Sequence, residues 1–355
     1  MENQLSTLLK KLRVGYVPLS KNLESPGDRR RFIYYAKIRN IDFEIADPSR
    51  HYDLVVVTGN ADISIWRDYK SPGAKIIFDF IDSYLAIPRT NLKARLRGLG
   101  KFLFRQNKRF QPNYWSALEA MCARSDAVIC STEEQARDIH PFCNNTHIIL
   151  DIHSHVARTH KKDYSSGKVF NLVWEGLPGN AHSLHLISEV LKTLQKKYAI
   201  ALHVVTDLEF KLYLGKFWAL QTSNIISSIC DKVYLYQWNE QMFSNIIGAC
   251  DLAVIPIDLD DSLASGKPEN KLLLFWRMGI PTVVSSTPAY KRAMAQAGLP
   301  MACATKDEWT TTLEHYINNE EDRRAAGLQG KTIADSFYNE NVLLSKWDTA
   351  ISQLF

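Results

Sequence analysis

Short, unbroken runs of Val, Ile and Leu, each closed by Gly, Pro or Asp, recur along most of this chain, with longer helix-like segments between them. The first series is "RVGYVP" (13–18), "DFEIA" (42–46), "DLVVVTG" (53–59), "KIIFDF" (75–80), "AVICS" (127–131) and "HIILD" (147–151). After a polar stretch, "HKKDYSSGK" (160–168), the pattern restarts with "VFNLVWEG" (169–176), "IALHVVT" (200–206), "KVYLYQW" (232–238), "DLAVIPI" (251–257), "PTVVSS" (281–286) and "MACAT" (301–305). Continuous apolar runs, rather than alternating ones, suit parallel strands covered on both faces. The spacers have helical period, most cleanly in "SLHLISEVLKTLQKK". Alternating strand and helix implies an α/β chain with doubly wound parallel sheets. The 355 residues give room for two such cores. We therefore expect two Rossmann-like domains, 1–160 and 161–355, facing across a cleft. The last helix, "NENVLLSKWDTAISQLF", is free to pack back on the first domain. Ligands of such sheets sit beyond the carboxyl ends of the strands, so residues just after strands carry the most weight.

Other classes of protein fit less well. No stretch approaches the roughly 18 apolar residues of a membrane span, and the first residues lack a signal-peptide apolar core. Six cysteines form no CxxC pair and sit mostly in apolar runs, which points to reduced thiols in the cytoplasm. The net charge of +5 is uneven: residues 1–160 hold 24 Lys and Arg against 17 Asp and Glu.

The segment "SLASGKPENKLLLFWRMGIPTVVSS" (262–286) has a polar, glycine-containing turn, an apolar helix and a strand. It is no P-loop, because Asp261 and Pro268 break that pattern. As a plain connector it reads well, with Pro268 at the first helical position and Gly279 and Pro281 at the stop. Lys267 and Lys271, however, lie at the positive end of the helix dipole, and Glu269 offsets only part of that charge. Free N–H groups, the dipole and two ammonium groups together suit a diphosphate.

At this point the chain resembles GT-B glycosyltransferases, particularly the family 4-like group. The resemblance lies in "ACDLAVIPI", "PENKLLLFWRMGIPTVV" and "STPAYKRAM", with "VWEGLPGNAHSLHLI" similar to the first strand and glycine loop of the donor domain. "RSDAVICSTEEQARDI" is similar to the end of the acceptor domain. The resemblance implies a nucleotide-sugar donor, used as substrate with no cofactor and no metal ion. Lys267, Asn270 and Lys271 would meet the donor diphosphate, with Gly176 and Asn180 approaching it from the first loop. Trp238 and Asn239 would lie in the nucleobase region. The glutamate that the family places on the helix for the ribose falls on Leu274, which leaves the ribose contact unassigned.

Two carboxylates compete for a base. "FDFIDSY" puts Asp82 past the fourth strand with Asp79 just before it, and "SPGDRRR" puts Asp28 after the first. Asp82 also reads as a cap or ion-pair partner, and Asp28 as a helix start. The three arginines after Asp28 suit an anionic acceptor or a solvated face. The pair His153 and His155 is too few ligands for zinc.

The segment 89–110 carries eight Lys and Arg between Arg89 and Arg109, with no acid until Glu119. Leu92, Leu96, Leu99, Phe102 and Phe104 interleave at near-helical spacing. We expect a basic amphipathic helix whose Arg95, Arg97, Lys101 and Arg105 meet an acceptor or an anionic membrane, at about 1 kcal/mol per basic residue. No nucleic-acid motif accompanies the charge. The function expected is sugar transfer to a glycan or lipid-linked acceptor, in assembly of a surface polysaccharide or glycoconjugate. A nucleotide-sugar epimerase and a non-catalytic GT-B-like partner subunit are the alternatives. The location expected is cytoplasmic, with peripheral contact at the inner face of the membrane.

Overall fold

The structure is a computed structural model that describes residues 11–91, 97–104, 106–211 and 217–355. The chain forms two compact units: Met1–Ile152 with Glu340–Phe355, and His153–Asn339. The division falls at 152/153, where the sequence suggested 160/161.

The first unit is built on β1 (Val14–Val17), β2 (Phe43–Ile45), β3 (Leu54–Thr58), β4 (Lys75–Asp79), β5 (Ala127–Cys130) and β6 (Thr146–Ile148), interleaved with α1 (Pro26–Arg29), α2 (Phe32–Arg39), α3 (Ile63–Trp66), α4 (Arg97–Leu103), α5 (Tyr114–Arg124) and α6 (Glu133–Ile139). Its six strands run parallel in the order β2-β1-β3-β4-β5-β6. Every residue of β3 and β5 is buried, as the unbroken apolar runs require. Asn113 caps α5 by accepting from Ser116 N, and Tyr114, Ala117, Leu118 and Met121 recur every three or four residues on its buried face.

The second unit contains β7 (Phe170–Glu175), α7 (Ser188–Gln195), β8 (Ile200–Thr206), β9 (Glu209–Lys211), β10 (Phe217–Gln221), α8 (Thr222–Ile226), β11 (Val233–Gln237), α9 (Phe243–Gly248), β12 (Leu252–Ile255), α10 (Ser262–Ser265), α11 (Asn270–Arg277), β13 (Thr282–Ser285), α12 (Pro288–Ala297), β14 (Ala302–Cys303), α13 (Lys306–Asn318) and α14 (Glu320–Phe337). Six of these strands form a parallel sheet in the order β11-β8-β7-β12-β13-β14. The twelve expected strands are all present in the two sheets. The antiparallel β9–β10 pair is an addition that the apolar pattern did not single out. A 3₁₀ stretch, Pro178–Ile187, replaces the first part of the helix expected before α7.

The final helix, α15 (Glu340–Ser352), belongs to the first unit. Its Trp347 is fully buried, stacked at 5.5 Å on Tyr35 and 5.9 Å from Phe32. Asp348 accepts from Tyr35 Oη at 3.0 Å and pairs with Arg39 at 2.5 Å.

Candidate functional site

In the second unit the sheet order reverses between β7 and β12, which lie side by side. The loops leaving their carboxyl ends are therefore neighbours, although 87 residues separate Asn180 from Lys267, whose side chains are hydrogen-bonded across them. From β7 come Gly176 and the 3₁₀ stretch carrying Asn180. From β12 come the loop through Asp261, then α10, Lys267 and α11. Asp261 caps α10 by accepting from Leu263 N at 2.9 Å and Ala264 N at 3.2 Å. Pro268 precedes α11 rather than standing at its first position, because Glu269 is the N-cap. At the other end Gly279 adopts φ +70°, a left-handed stop that suits glycine.

The expected diphosphate residues come together here. Lys267 Nζ donates to Asn180 Oδ1 at 3.2 Å. Lys271 Nζ lies 4.9 Å from the Trp174 ring centroid and directly over Gly176, where a Cβ would collide with it. A Cβ at Gly176 would also meet the Trp174 ring at 2.9 Å, so the absent side chain is what lets the lysine cross the loop. Asn270 opens α11. Trp238 and Asn239 leave the end of β11, two strands away along the same sheet edge. Asn239 Oδ1 accepts from Gln241 N at 2.8 Å and Met242 N at 3.2 Å, which commits that side chain to the turn before α9.

Leu274 is buried in the core. Two acids near this edge, Glu175 and Glu269, are mostly buried. Burial, then Glu269 and Glu175, hold the buried Tyr290 hydroxyl far above the usual phenol range, so both carboxylates act on one hydroxyl. Glu175 was missed in the sequence; its signal was a charged residue closing an otherwise apolar strand, directly before the glycine.

The carboxylates of the first unit take different parts. Asp28 is fully buried and accepts from Tyr16 Oη (2.6 Å), Leu19 N (2.8 Å), Ser20 N (2.9 Å) and Ser20 Oγ (2.8 Å). This corrects its reading as a base: with four donors on it and no open face, it folds the loop after β1. Asp79 is also buried, bound by Arg31 Nη2 at 2.6 Å and by Nε at 3.0 and 2.9 Å. Arg31 reaches Asp151 as well, at 3.2 Å, and donates to Ile149 O at 2.8 Å. Burial alone would lower the Arg31 pKa; Asp79 and Asp151 outweigh it and raise it. Arg29 Nε donates to Glu24 O at 2.8 Å, and Arg30 is buried. Asp82 remains an exposed carboxylate past the end of β4, its backbone carbonyl held by Gln135 Nε2 at 3.2 Å.

The basic segment departs most from expectation. Among the described residues its helix is only α4, and Lys101 is buried within it rather than facing solvent. Arg97 lies 3.8 Å from the Tyr84 ring centroid and 5.5 Å from that of Tyr114. Neither residue projects from the surface as a membrane-facing cation would. Arg95 and Arg105 lie outside the described residues. Among the described residues no helix is long and apolar enough to cross a membrane, and no group of three or more His, Cys, Asp and Glu could hold a metal ion.

No protein-family model and no curated protein matches the chain. Solved structures do. TarM aligns with a TM-score of 0.58 at 12% identity, over 84% of this chain and 54% of TarM. The chain thus spans about half the length of that protein. A TarM variant from S. aureus, solved with UDP and alpha-GlcNAc-glycerol, aligns at 0.57 and 12% identity over 84% of this chain and 55% of its own. Sucrose-phosphate synthase from Thermosynechococcus elongatus gives 0.58 at 10% identity, over 96% of this chain and 80% of that one. A glycosyltransferase from Rickettsia africae gives 0.57 at 9% identity, over 96% and 97%. With two parallel six-stranded sheets and alignments over 84% to 96% of its length, the chain has the GT-B glycosyltransferase fold.

Proposed function

We propose that the chain is a glycosyltransferase that takes a sugar from a nucleotide-sugar donor to a glycan or lipid-linked acceptor, in assembly of a surface polysaccharide or glycoconjugate. The observation that carries this reading is the meeting of Lys267 with Asn180, and of Lys271 with Gly176, beside the start of α11 at the switch point of the second sheet. A helix start with two ammonium groups suits a diphosphate, and UDP in the TarM variant is a diphosphate of the expected class. In the proposed reaction the anomeric carbon loses its bond to the diphosphate oxygen, which leaves with the electron pair. Lys267, Lys271 and the first N–H groups of α11 stabilise the charge that develops there. The acceptor oxygen bonds to the anomeric carbon, and its proton passes to Asp82, the exposed carboxylate past β4. Trp238 and Asn239 flank the nucleobase. Six free, buried cysteines are in keeping with a reducing cytoplasm. The acid-free segment around 89–110 supports work at an anionic membrane surface.

The test is thermal shift with UDP, GDP and CMP on the wild type and on Lys271→Ala. Stabilisation by at least one nucleotide should be present in the wild type and lost in the variant; identical shifts would remove the phosphate assignment. Leu274 is buried where the family places its ribose glutamate, which leaves the ribose contact unassigned, and a non-catalytic partner subunit is the alternative. Turnover on a panel of nucleotide sugars, with and without lipid acceptors, separates the two.

A further inference from the structure

From residue 83 to 118 the sequence holds no Asp or Glu, while eight Lys and Arg fall between 89 and 109. A helix of this composition in water should bury its apolar stripe and expose its cations. In α4 the arrangement is reversed. Gly98 faces inward, against the Gln111 carbonyl, where no Cβ would fit. Lys101, one turn on along that face, is 7% exposed, with Nζ 5.0 Å from the Tyr114 ring centroid. The other face carries Leu99 (40% exposed), Phe102 (39%) and Leu103 (66%). Leu99 and Leu103 stand four residues apart, so they share a side of the helix. Phe110 (48% exposed) extends the patch, its ring 5.8 Å from that of Phe102. Lys108 and Arg109, just before Phe110, are exposed, Arg109 at 2.5 Å from Asp68.

Folding alone gains nothing from this inversion: it buries an ammonium group and leaves four large apolar side chains in water. Apolar side chains flanked by the exposed Lys108 and Arg109 fit the boundary of an anionic bilayer, where acyl chains and phosphates lie within a few ångströms of each other. We infer that the first unit docks on anionic membranes by inserting an apolar tip made of Leu99, Phe102, Leu103 and Phe110, with Lys108 and Arg109 meeting the lipid phosphates. The proposal rests on the membrane-surface reading above and changes its mode. Insertion of side chains holds the protein, and the cations select the lipid. The exposed Lys108 beside the patch, in a segment with no Asp or Glu from 83 to 118, commits the tip to anionic lipid rather than to a second copy of the chain, which would bring like charges together.

Co-sedimentation of the full chain with phosphatidylcholine vesicles, with and without phosphatidylglycerol, is the test. Wild type should bind the anionic vesicles and keep part of that binding at high salt, since apolar insertion is not screened. Phe102→Ser with Leu103→Ser should weaken binding by roughly tenfold or more, from the apolar area withdrawn. Lys108→Glu should reduce the preference for phosphatidylglycerol. Undiminished vesicle binding by the double serine variant, complete release of the wild type by salt, or indifference to phosphatidylglycerol would each overturn insertion at an anionic surface. So would a dimer in solution that the double variant makes monomeric, because the patch would then be covered by another copy. The double variant replaces exposed residues only, and an unchanged thermal midpoint checks its fold. The UDP shift reads the second unit independently: if it persists without vesicle binding, the tip fails and the transferase reading stands.

Discussion

Arg31, Asp79 and Asp151 show how little a residue's neighbours in sequence say about its task. Arg31 follows β1, Asp79 closes β4 and Asp151 follows β6, on the side of the sheet where catalytic groups of open α/β sheets gather. Asp79 and Asp82 are three residues apart in "FDFIDSY", yet one is wholly buried against a guanidinium and the other is exposed. The difference comes from Arg31, which lies 48 residues away along the chain. The same holds for Asp28, whose donors include the hydroxyl of Tyr16 and a loop amide folded back over it. Long-range partners of this kind leave no trace in local spacing. Lys271 and Gly176 were legible because each sits in a motif with its own local logic, a helix start and a tight turn after a strand. Removing one partner from a buried ion pair strands the other charge. Asp79→Asn should therefore cost about 3–5 kcal/mol of stability in urea unfolding. Asp151→Asn should cost less, since Arg31 gives Asp151 one contact at 3.2 Å and Asp79 three of 3.0 Å or shorter. Equal losses would mean that the two carboxylates share the guanidinium evenly.

At the scale of elements, hydrophobic period located helices well but did not say which face of α4 turns inward. A moment records the separation of apolar and polar residues, and it is unchanged when the helix is rolled half a turn about its axis. What decides the matter is tertiary: the close approach of Gly98 to Gln111, and the aromatic rings of Tyr84 and Tyr114 that receive Arg97 and Lys101. The β9–β10 pair escaped notice for a related reason, since an antiparallel pair beside a parallel sheet follows no βαβ rhythm. Burial of Lys101 has a consequence in pH. Desolvation, then Arg97, lowers its pKa from the ordinary 10.5 to about 8, against an opposing effect of Asp62. Between those two values the unfolded chain keeps the proton that the folded chain has released, so this lysine makes stability rise with pH across that window. Below pH 8 the cost of burying the ammonium is fully present. Lys101→Met should therefore be more stable than wild type at neutral pH, with the gap closing toward pH 10.5. Taking the difference between the two proteins cancels titrations common to both, including those of the buried cysteines. A gap that stays constant with pH in urea midpoints would show that Lys101 is solvated in the fold.

For the molecule as a whole, two sheets of six parallel strands were readable from the succession of apolar runs, because the central strands are buried on both faces and so write continuous ones; the edge strands β2, β6 and β11 are only part-buried. The place of α15 was not readable: its amphipathic pattern fits any apolar surface, and tertiary contacts fix it to the first unit, the stack of Trp347 on Tyr35 and the bonds of Asp348 to Tyr35 and Arg39. Trp347→Ala should remove about 3–5 kcal/mol from that unit, measured by chemical unfolding, with the UDP shift retained. Loss of the UDP shift together with stability would tie the helix to the second unit instead. The return of the chain also sets an order on its own synthesis. The second unit is one continuous stretch, His153–Asn339, whereas the first is completed only by Glu340–Phe355. A chain growing from its amino terminus therefore presents every residue of the second core before it presents the last helix of the first. The half that is made first is the half that must wait, with Phe32 and Tyr35 uncovered until the final turns of α15 arrive.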